Sequence, residues 1–216
     1  PGWSRVSDPG AAGGARLANP NLGVAKPATA RPSPSRYFEL SFPVESGTPY
    51  RLWLRGMAEG TSTSNDSVFV QFSGSVTASG AATYRIGTTA ALDVVLEDFS
   101  LAGINAWGWA NAGWGVADLG PEIYFAQTGL QTLRVQPRED GLAIDQVVLS
   151  ASTYLNAYPG GTKNDHTILN RTVTQPASMP GGDPPDAGEV VVWPAATAER
   201  HGRWTLTPDA SAAGGA

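Results

Sequence analysis

The segment Arg36-Tyr37-Phe38-Glu39-Leu40-Ser41-Phe42-Pro43-Val44 decides the fold of this chain. Apolar residues occupy every second position from Phe38 to Val44, which is the period of a strand with one buried face. A turn follows at Gly47-Thr48-Pro49, and Tyr50-Arg51-Leu52-Trp53-Leu54-Arg55-Gly56 reads as the partner strand. The two segments predict neighbouring strands of a β-sheet protein.

The rest of the chain carries the same kind of signal. Short β-prone segments separated by turn residues lie at 67–73, 84–87, 92–98, 122–126, 131–138, 142–150 and 189–193. No window of about eleven residues shows helical periodicity, and the stretch 99–120 is predicted to be a loop. Many short strands with turn signals between them predict an all-β fold. We expect an antiparallel β-sandwich of the jelly-roll type with an extended C-terminal arm.

Composition limits the classes of partner. The 216 residues include 14 Lys and Arg against 19 Asp and Glu, and the net charge is −5. No basic stripe exists to collect phosphates, so nucleic acid is not a predicted partner. No apolar run approaches about 18 residues, so no membrane span is predicted. Cysteine is absent, which excludes disulfides, thiolate metal sites and a cysteine nucleophile.

The two ends of the chain share a sequence. The segment 3–15 holds Trp3, Asp8 and Ala11-Ala12-Gly13-Gly14-Ala15, and the segment 204–216 holds Trp204, Asp209 and Ala212-Ala213-Gly214-Gly215-Ala216. All of these residues align at one constant offset, which is the mark of repeated modules. The chain is therefore predicted to hold one module and the first strands of the next.

Several motifs occur in an order that is typical of one family. They are Ala12-Gly13-Gly14-Ala15, Tyr37-Phe38-Glu39-Leu40-Ser41-Phe42, Pro49-Tyr50-Arg51-Leu52-Trp53-Leu54-Arg55-Gly56 and Gly141-Leu142-Ala143-Ile144-Asp145-Gln146-Val147-Val148-Leu149. With these motifs, the run from Gly10 to Ser150 resembles carbohydrate-binding modules of the galactose-binding-like β-sandwich type, families 6 and 35. The resemblance implies a sandwich that binds a polysaccharide or another glycan.

The resemblance also bears on how the chain is organised. Such modules begin with a strand ahead of the Ala-Ala-Gly-Gly segment, and the matching strand here is Glu189-Val190-Val191-Val192-Trp193. We therefore expect a β-sandwich module over 1–155 that lacks its first strand, and a Pro/Gly-rich linker over 156–188. Residues 189–216 are then the first strands of the next repeat or a donated strand. That strand can complete its own module, complete the module of a neighbouring molecule, or belong to a following module.

A Trp-Gly loop is the strongest candidate for ligand binding. Trp107, Trp109 and Trp114 offer flat faces on which sugar rings can stack, and Asn105 and Asn111 offer hydrogen bonds to hydroxyl groups. The alternative is that Trp107 and Trp109 alternate with Gly108 as a strand and pack on the core, because Trp usually buries much of its area. Of the three, Trp114 is expected to be the most exposed.

A polar loop before the strand at 67–73 is a second candidate. It ends in Asn65-Asp66-Ser67, and the resemblance implies that a loop at the rim of the sandwich contributes sugar contacts, which makes Asp66 a candidate ligand residue. The alternative is an Asx turn, in which Asn and Asp bond to their own backbone.

Asp145 is the one candidate metal ligand. The resemblance implies a structural calcium held by this Asp and by acidic residues of the first strand, but Val192-Trp193-Pro194-Ala195-Ala196 stands where those acids would be. Calcium takes about six to eight oxygen ligands, so the sequence supports the site poorly and predicts no other cofactor. The alternative is a buried carboxylate bonded to backbone N–H groups, to Arg138 or to Arg134.

No enzyme signature is present. The two histidines, His166 and His201, lie outside the compact run, and neither a catalytic triad order, a zinc-protease motif nor a phosphate loop appears. We therefore expect a non-catalytic carbohydrate-binding module of a repeated protein, secreted or at the bacterial cell surface. The alternative is a structural building block whose strand Val190, Val191, Val192 and Trp193 joins the sandwich of a neighbouring copy and so builds a fibre or tandem array.

Overall fold

The computed structural model describes residues 2–96, 106–114, 118–170 and 189–201. In these ranges the chain forms two antiparallel sheets and a small two-stranded ribbon. The strands are β1 Ser4–Ser7, β2 Ala15–Ala18, β3 Tyr37–Val44, β4 Arg51–Ala58, β5 Ser67–Phe72, β6 Ser75–Val76, β7 Leu92–Val95, β8 Gly108–Ala110, β9 Tyr124–Phe125, β10 Gly129–Pro137, β11 Leu142–Ser150, β12 Val190–Val192 and β13 Glu199–His201.

Helical structure is minor in the described residues. A four-residue helix, α1, spans Pro194–Thr197, and single 3-10 turns lie at Ala12–Gly14 and Glu59–Thr61. Within the four described ranges, therefore, no helix has the length and apolar character needed to cross a bilayer.

The first sheet has the strand order β1-β2-β11-β4-β8. Along one side, β11 pairs with β4 over its whole length. Along its other side it pairs first with β2, at Ala143 and Ile144, and then with β12, from Val147 to Leu149. The short strands β2 and β12 therefore share one side of β11, one after the other.

The second sheet has the strand order β13-β3-β10-β5-β7. The alternation that predicted β3 is realised, because Phe38, Leu40, Phe42 and Val44 are all buried while the residues between them are not. One continuous core cluster joins side chains of both sheets, so the sheets pack face to face. The prediction of an all-β antiparallel sandwich is confirmed.

The central strands β4 and β11 of the first sheet are covered on both faces, which the sequence did not indicate. Every residue of β11 is buried, and on its outer face Val148 packs with Trp53, Trp109 and Val191. The cover comes from residues 153–169, where the ring of Tyr158 meets that of Trp53 edge-on at 4.6 Å. The first part of the predicted linker, 156–170, is therefore packed on the sheet, because its apolar residues cover an outer face rich in Trp.

The remaining differences from the sequence expectation are local. Residues 84–87 form a turn with one bridge, from Arg85 to Phe72, instead of a strand. The predicted loop 99–120 contains β8 in its described part, and β1, β2, β6 and β13 were not predicted. These strands have two to four residues, too few for an alternation to stand out.

The C-terminal segment 189–201 adds one strand to each sheet of its own chain. Val192 of β12 lies opposite Val147, and His201 of β13 lies opposite Tyr37 at the edge of the second sheet. The helix α1 connects the two strands, and its Ala195 reaches the shared core. The second copy of the repeated sequence, 204–216, and the linker residues 171–188 lie outside the described residues.

Candidate functional site

Two of the three predicted stacking residues are buried. Trp109 is fully buried on the outer face of the first sheet, where its Nε1 donates to the carbonyl of Thr167 at 3.3 Å. Trp107 is also buried, and the guanidinium of Arg55 lies 4.8 Å from the centre of its ring. Both faces of the sheet are covered at this point, so neither ring is open to a ligand. The two rings therefore do not stack on sugars as predicted, and the alternative, that they pack within the protein, describes them.

Trp114 is the exception in the same loop, with 59% of its surface exposed. Its neighbour Asn111 is buried, and the side-chain oxygen of Asn111 accepts hydrogen bonds from the N–H groups of Gly113 and Gly120. Asn111 therefore shapes the loop and does not face a ligand. Asn105 lies outside the described residues.

Asp66 is likewise buried and serves the structure. Its N–H donates to Oε2 of Glu139 at 3.3 Å, and the Ser67 hydroxyl donates to the same oxygen at 2.6 Å. Lys26 reaches the other oxygen of Glu139 at 2.7 Å. Burial alone would raise the pKa of Glu139, but the hydrogen bonds from Asp66, Lys26 and Ser67 lower it. The side chain of Asp66 is thus part of a buried polar cluster under the rim.

Asp145 lies at an irregularity in β11. The register with β4 shifts between Ile144 and Gln146, so Asp145 is the extra residue of a β-bulge. Its carboxylate is fully buried, forms an ion pair with Arg55, and accepts the N–H of Ala12 at 2.7 Å. Burial raises the pKa of Asp145 to about 6, although Arg55 and the Ala12 N–H act in the opposite direction.

These contacts do not fit a calcium ion at Asp145. The carboxylate that would face the cation already carries a guanidinium, and within the described ranges Asp145 belongs to no group of three metal-ligating side chains. The alternative of a bonded, buried carboxylate describes it, with Arg55 in place of the expected arginines. Arg134 instead pairs with Glu39, and Arg138 bonds to Ser67 and lies near Asp93.

An open polar pocket lies at one rim of the sandwich. Its volume is about 540 Å³, and its lining residues come from three loops: Asn21, Gly23, Val24, Glu59, Gly60, Ser62, Ser64, Asn65 and Asp140. Hydroxyl, amide and carboxylate groups dominate this lining, and none of the described residues that form it is aromatic. The pocket includes the polar loop that the sequence singled out before β5, but not Asp66 itself.

The pocket walls are held by hydrogen bonds to two carboxylates. Oδ2 of Asp140 accepts the N–H groups of Leu22 and Val24 at 2.7 and 2.9 Å. Oε2 of Glu59 accepts the N–H of Asn21 at 3.3 Å, and the side-chain amide of Asn65 donates to the carbonyl of Glu59 at 2.9 Å. The three loops are thereby fixed relative to each other, so the pocket is preformed.

The sequence missed two of the three loops. Asn, Gly and Pro are concentrated at 19–24, and the dipeptide Asp140-Gly141 is typical of a turn. Both signals indicate loops, but neither indicates that the loops meet. That information lies in the pairing of β2 with β11, which brings residue 19 beside residue 142 through the bond from the Asn19 N–H to the Leu142 carbonyl.

Among the residues that the structure describes, one group of metal-capable side chains lies on the second sheet. Ligand atoms of Glu39, Glu199 and His201 lie within 4.8 Å of each other. Arg134 is bonded to Glu39 at 2.7 Å, and His201 stacks on Tyr37 with 4.4 Å between ring centres. The guanidinium already balances Glu39, so this group links β13 to β3 and is a poor cation site.

Comparison with family models and with curated protein sequences finds no match for this chain.

Proposed function

We propose that this chain is a non-catalytic module that binds a neutral glycan in the rim pocket. The observation that carries the proposal is the polar cavity of about 540 Å³ formed by three loops. Binding pockets for small ligands typically measure about 300–1,000 Å³. A cavity lined mainly by groups that both donate and accept hydrogen bonds suits the hydroxyl groups of a sugar.

The charge of the pocket favours a neutral ligand. Glu59 and Asp140 are its ionisable lining residues, and both are acidic. Two carboxylates repel uronic acids and phosphates, whereas sugar hydroxyls donate to carboxylates through charge-assisted bonds. Ser62, Ser64 and Asn21 add neutral partners.

The expected affinity is modest. Each net hydrogen bond contributes about 0.5–1.5 kcal/mol, and the described residues that line the pocket include no ring for stacking. A handful of such bonds corresponds to a Kd between about 1 mM and 1 μM. Modules of this strength act through repetition, because linked copies bind a polymer more tightly than one copy does. The sequence shared by 3–15 and 204–216 supports such an array in a secreted or surface protein.

A non-catalytic role is supported by the state of the two acids. Oδ2 of Asp140 is occupied by two backbone N–H groups, and Glu59 is bonded to that of Asn21. Both side chains hold loops in place. The two acids therefore form part of a binding scaffold and do not form a pair that transfers protons.

A screen of neutral polysaccharides with matched variants tests the proposal. Ser64→Tyr fills the pocket from an exposed position, and we expect it to weaken binding at least about tenfold, equivalent to about 1.4 kcal/mol. Trp114→Ala is the control, since β4 separates its loop from the pocket by roughly 20 Å. Retention of no glycan by the native chain, or loss of binding only in Trp114→Ala, would contradict the rim site.

A further inference from the structure

The C-terminal segment 189–201 has the properties of a separable part of the sandwich. Between Asn170 and Glu189 lie the residues 171–188, and beyond them the segment crosses from one sheet to the other. Val190, Val192 and Ala195 enter the shared core, while Val191 packs on the outer face of the first sheet. The segment therefore lies in a slot that both sheets form, between the side of β11 at Val147–Leu149 and the edge of β3.

The start of the segment is fixed by one carboxylate. Glu189 accepts hydrogen bonds from the hydroxyls of Ser150 and Ser152 at 2.9 and 3.0 Å, and from the N–H of Thr153. Burial alone would raise the pKa of Glu189, but these hydrogen bonds lower it. The anchor sets the register in which β12 lies on β11.

The middle of the segment docks on the repeated sequence itself. The ring of Trp193 covers Gly13, so closely that a Cβ on Gly13 would lie 2.7 Å from Cε3 of the ring. Gly13 belongs to the first copy of the repeat, and Gly214 is its counterpart in the second copy. Trp193 therefore contacts the first copy of the repeat, at Gly13, and lies shortly before the second copy, 204–216, in the sequence.

The end of the segment pairs with β3, the strand whose Phe38 packs against Trp3. His201 is opposite Tyr37, and the next residue, Phe38, meets the ring of Trp3 at 5.0 Å. In the sequence the segment is followed almost directly by Trp204, the counterpart of Trp3. The residues before the second copy of the repeat therefore pair with a strand that contacts the first copy.

We propose that the segment 189–201 is exchangeable between copies of this chain, so that it completes either its own sandwich or that of a second copy. The slot recognises the segment through Gly13, the side of β11 at Val147–Leu149 and the edge of β3. A second copy presents the same slot, so it is the partner that fits. Reciprocal exchange gives a closed dimer, and exchange in one direction gives an open chain of copies.

The length of the connection permits both forms. Leu169 accepts a hydrogen bond from Trp193 Nε1 at 3.3 Å, so the connection must return from beside Trp193 to Glu189. Four residues of strand separate these points, about 13 Å. The residues 171–188 can span about 60 Å when extended. A connection this long favours the monomer at micromolar concentration, because the effective concentration within one chain is about millimolar.

Shortening the connection tests the proposal. Deletion of 171–188 joins Asn170 directly to Glu189, so Leu169 lies at most about 7 Å from Glu189, short of the about 13 Å of strand that docking in the same chain requires. We expect this variant to be folded, with the near-ultraviolet circular dichroism of its buried tryptophans, and to be dimeric or larger at micromolar concentration. The control replaces 171–188 by an equally long Gly/Ser sequence and stays monomeric.

Three results would overturn the proposal. A folded monomer after deletion would mean that the slot does not need the segment. An unfolded monomer up to the highest soluble concentration would mean that a second copy cannot supply it. An oligomer that persists when Val192→Asp is added to the deletion would mean that the copies associate elsewhere, because Val192 must enter the partner's core. The slot is distinct from the rim pocket, so glycan binding does not decide this test.

Discussion

At the scale of single residues, buried polar groups account for most of the difference between expectation and structure. Asp145, Asp66 and Asn111 were selected because acids and amides are good ligands, and all three are buried and bonded within the protein. Sequence alone does not separate these roles, because the same hydrogen-bonding groups serve a ligand or a loop. A buried carboxylate such as Asp145 differs in one measurable respect, its titration.

Asp145 predicts a distinctive pH dependence. Its folded pKa of about 6 lies above that of an unfolded Asp, about 3.9. The folded state therefore holds this proton more tightly, and the associated stability is present below about pH 4 and is lost as the pH rises through about 6. Relative to Asp145→Asn, the native chain should lose up to about 3 kcal/mol of unfolding free energy between pH 4 and pH 7.

Urea unfolding of both proteins across this pH range checks the prediction, and carbon NMR of the carboxyl group gives the pKa directly. Arg55 is unchanged in both proteins, so its contribution does not imitate the titration. A stability difference that grows in favour of the native chain with rising pH would show that the ion pair outweighs burial.

Gly13 and Gly14 form a matched pair for a second prediction. Both have positive φ, +65° and +73°, but only Gly13 has Trp193 against it, and nothing lies within 4 Å of a Cβ on Gly14. Alanine at either position costs about 1–2 kcal/mol of backbone strain. Gly13→Ala should cost at least about 1 kcal/mol more, since overpacking adds about 1–3 kcal/mol. Equal losses in thermal or urea unfolding would show that the ring of Trp193 moves aside freely.

At the scale of elements, the sequence predicts those strands that alternate along enough residues. β3 has eight residues with one exposed face, so its period is legible. β4 and β11 were predicted as strands, but the sequence did not reveal that both of their faces are covered, because their cover lies in 153–169 and has no regular pattern. β13 has three residues and was missed, although it completes the edge of a sheet.

The attachment of β12 leads to a third prediction. Glu189→Gln keeps the shape of the anchor and removes its charge, so charge-assisted bonds to Ser150, Ser152 and Thr153 become neutral ones. We expect a loss of about 1 kcal/mol of unfolding free energy at pH 7. Chemical denaturation of both proteins provides the measurement.

The lowered pKa of Glu189 gives this variant a pH signature. The stability from the charged anchor is present above the unfolded pKa and is lost as the pH falls through the folded pKa. The gap between the native chain and Glu189→Gln should therefore close in acid. A constant gap would mean that the glutamine loses packing instead of charge.

At the scale of the whole molecule, the sequence predicts the architecture better than the site. The all-β sandwich follows from the period of its longer strands, whereas the rim pocket depends on three loops that meet only after β2, β4 and β11 have paired. The Trp-Gly loop illustrates the same limit, because Trp109 is buried by residues from 153–169 and Trp107 by Ala11 and Ala143, which are all distant in the sequence. The sequence therefore does not show which distant segments cover each face of a sheet in the folded chain.

The way in which 189–201 closes both sheets has a consequence for a chain that meets a protease. A cut of one peptide bond between 171 and 188 would leave every contact of β12, α1 and β13 in place. Folding would nevertheless become bimolecular, because the last strands would then belong to a separate molecule that must bind to the rest. The cut protein would then fall apart on dilution, and at low concentration the side of β11 at Val147–Leu149 would be left as an open edge. The stability of the cut protein would therefore depend on its concentration.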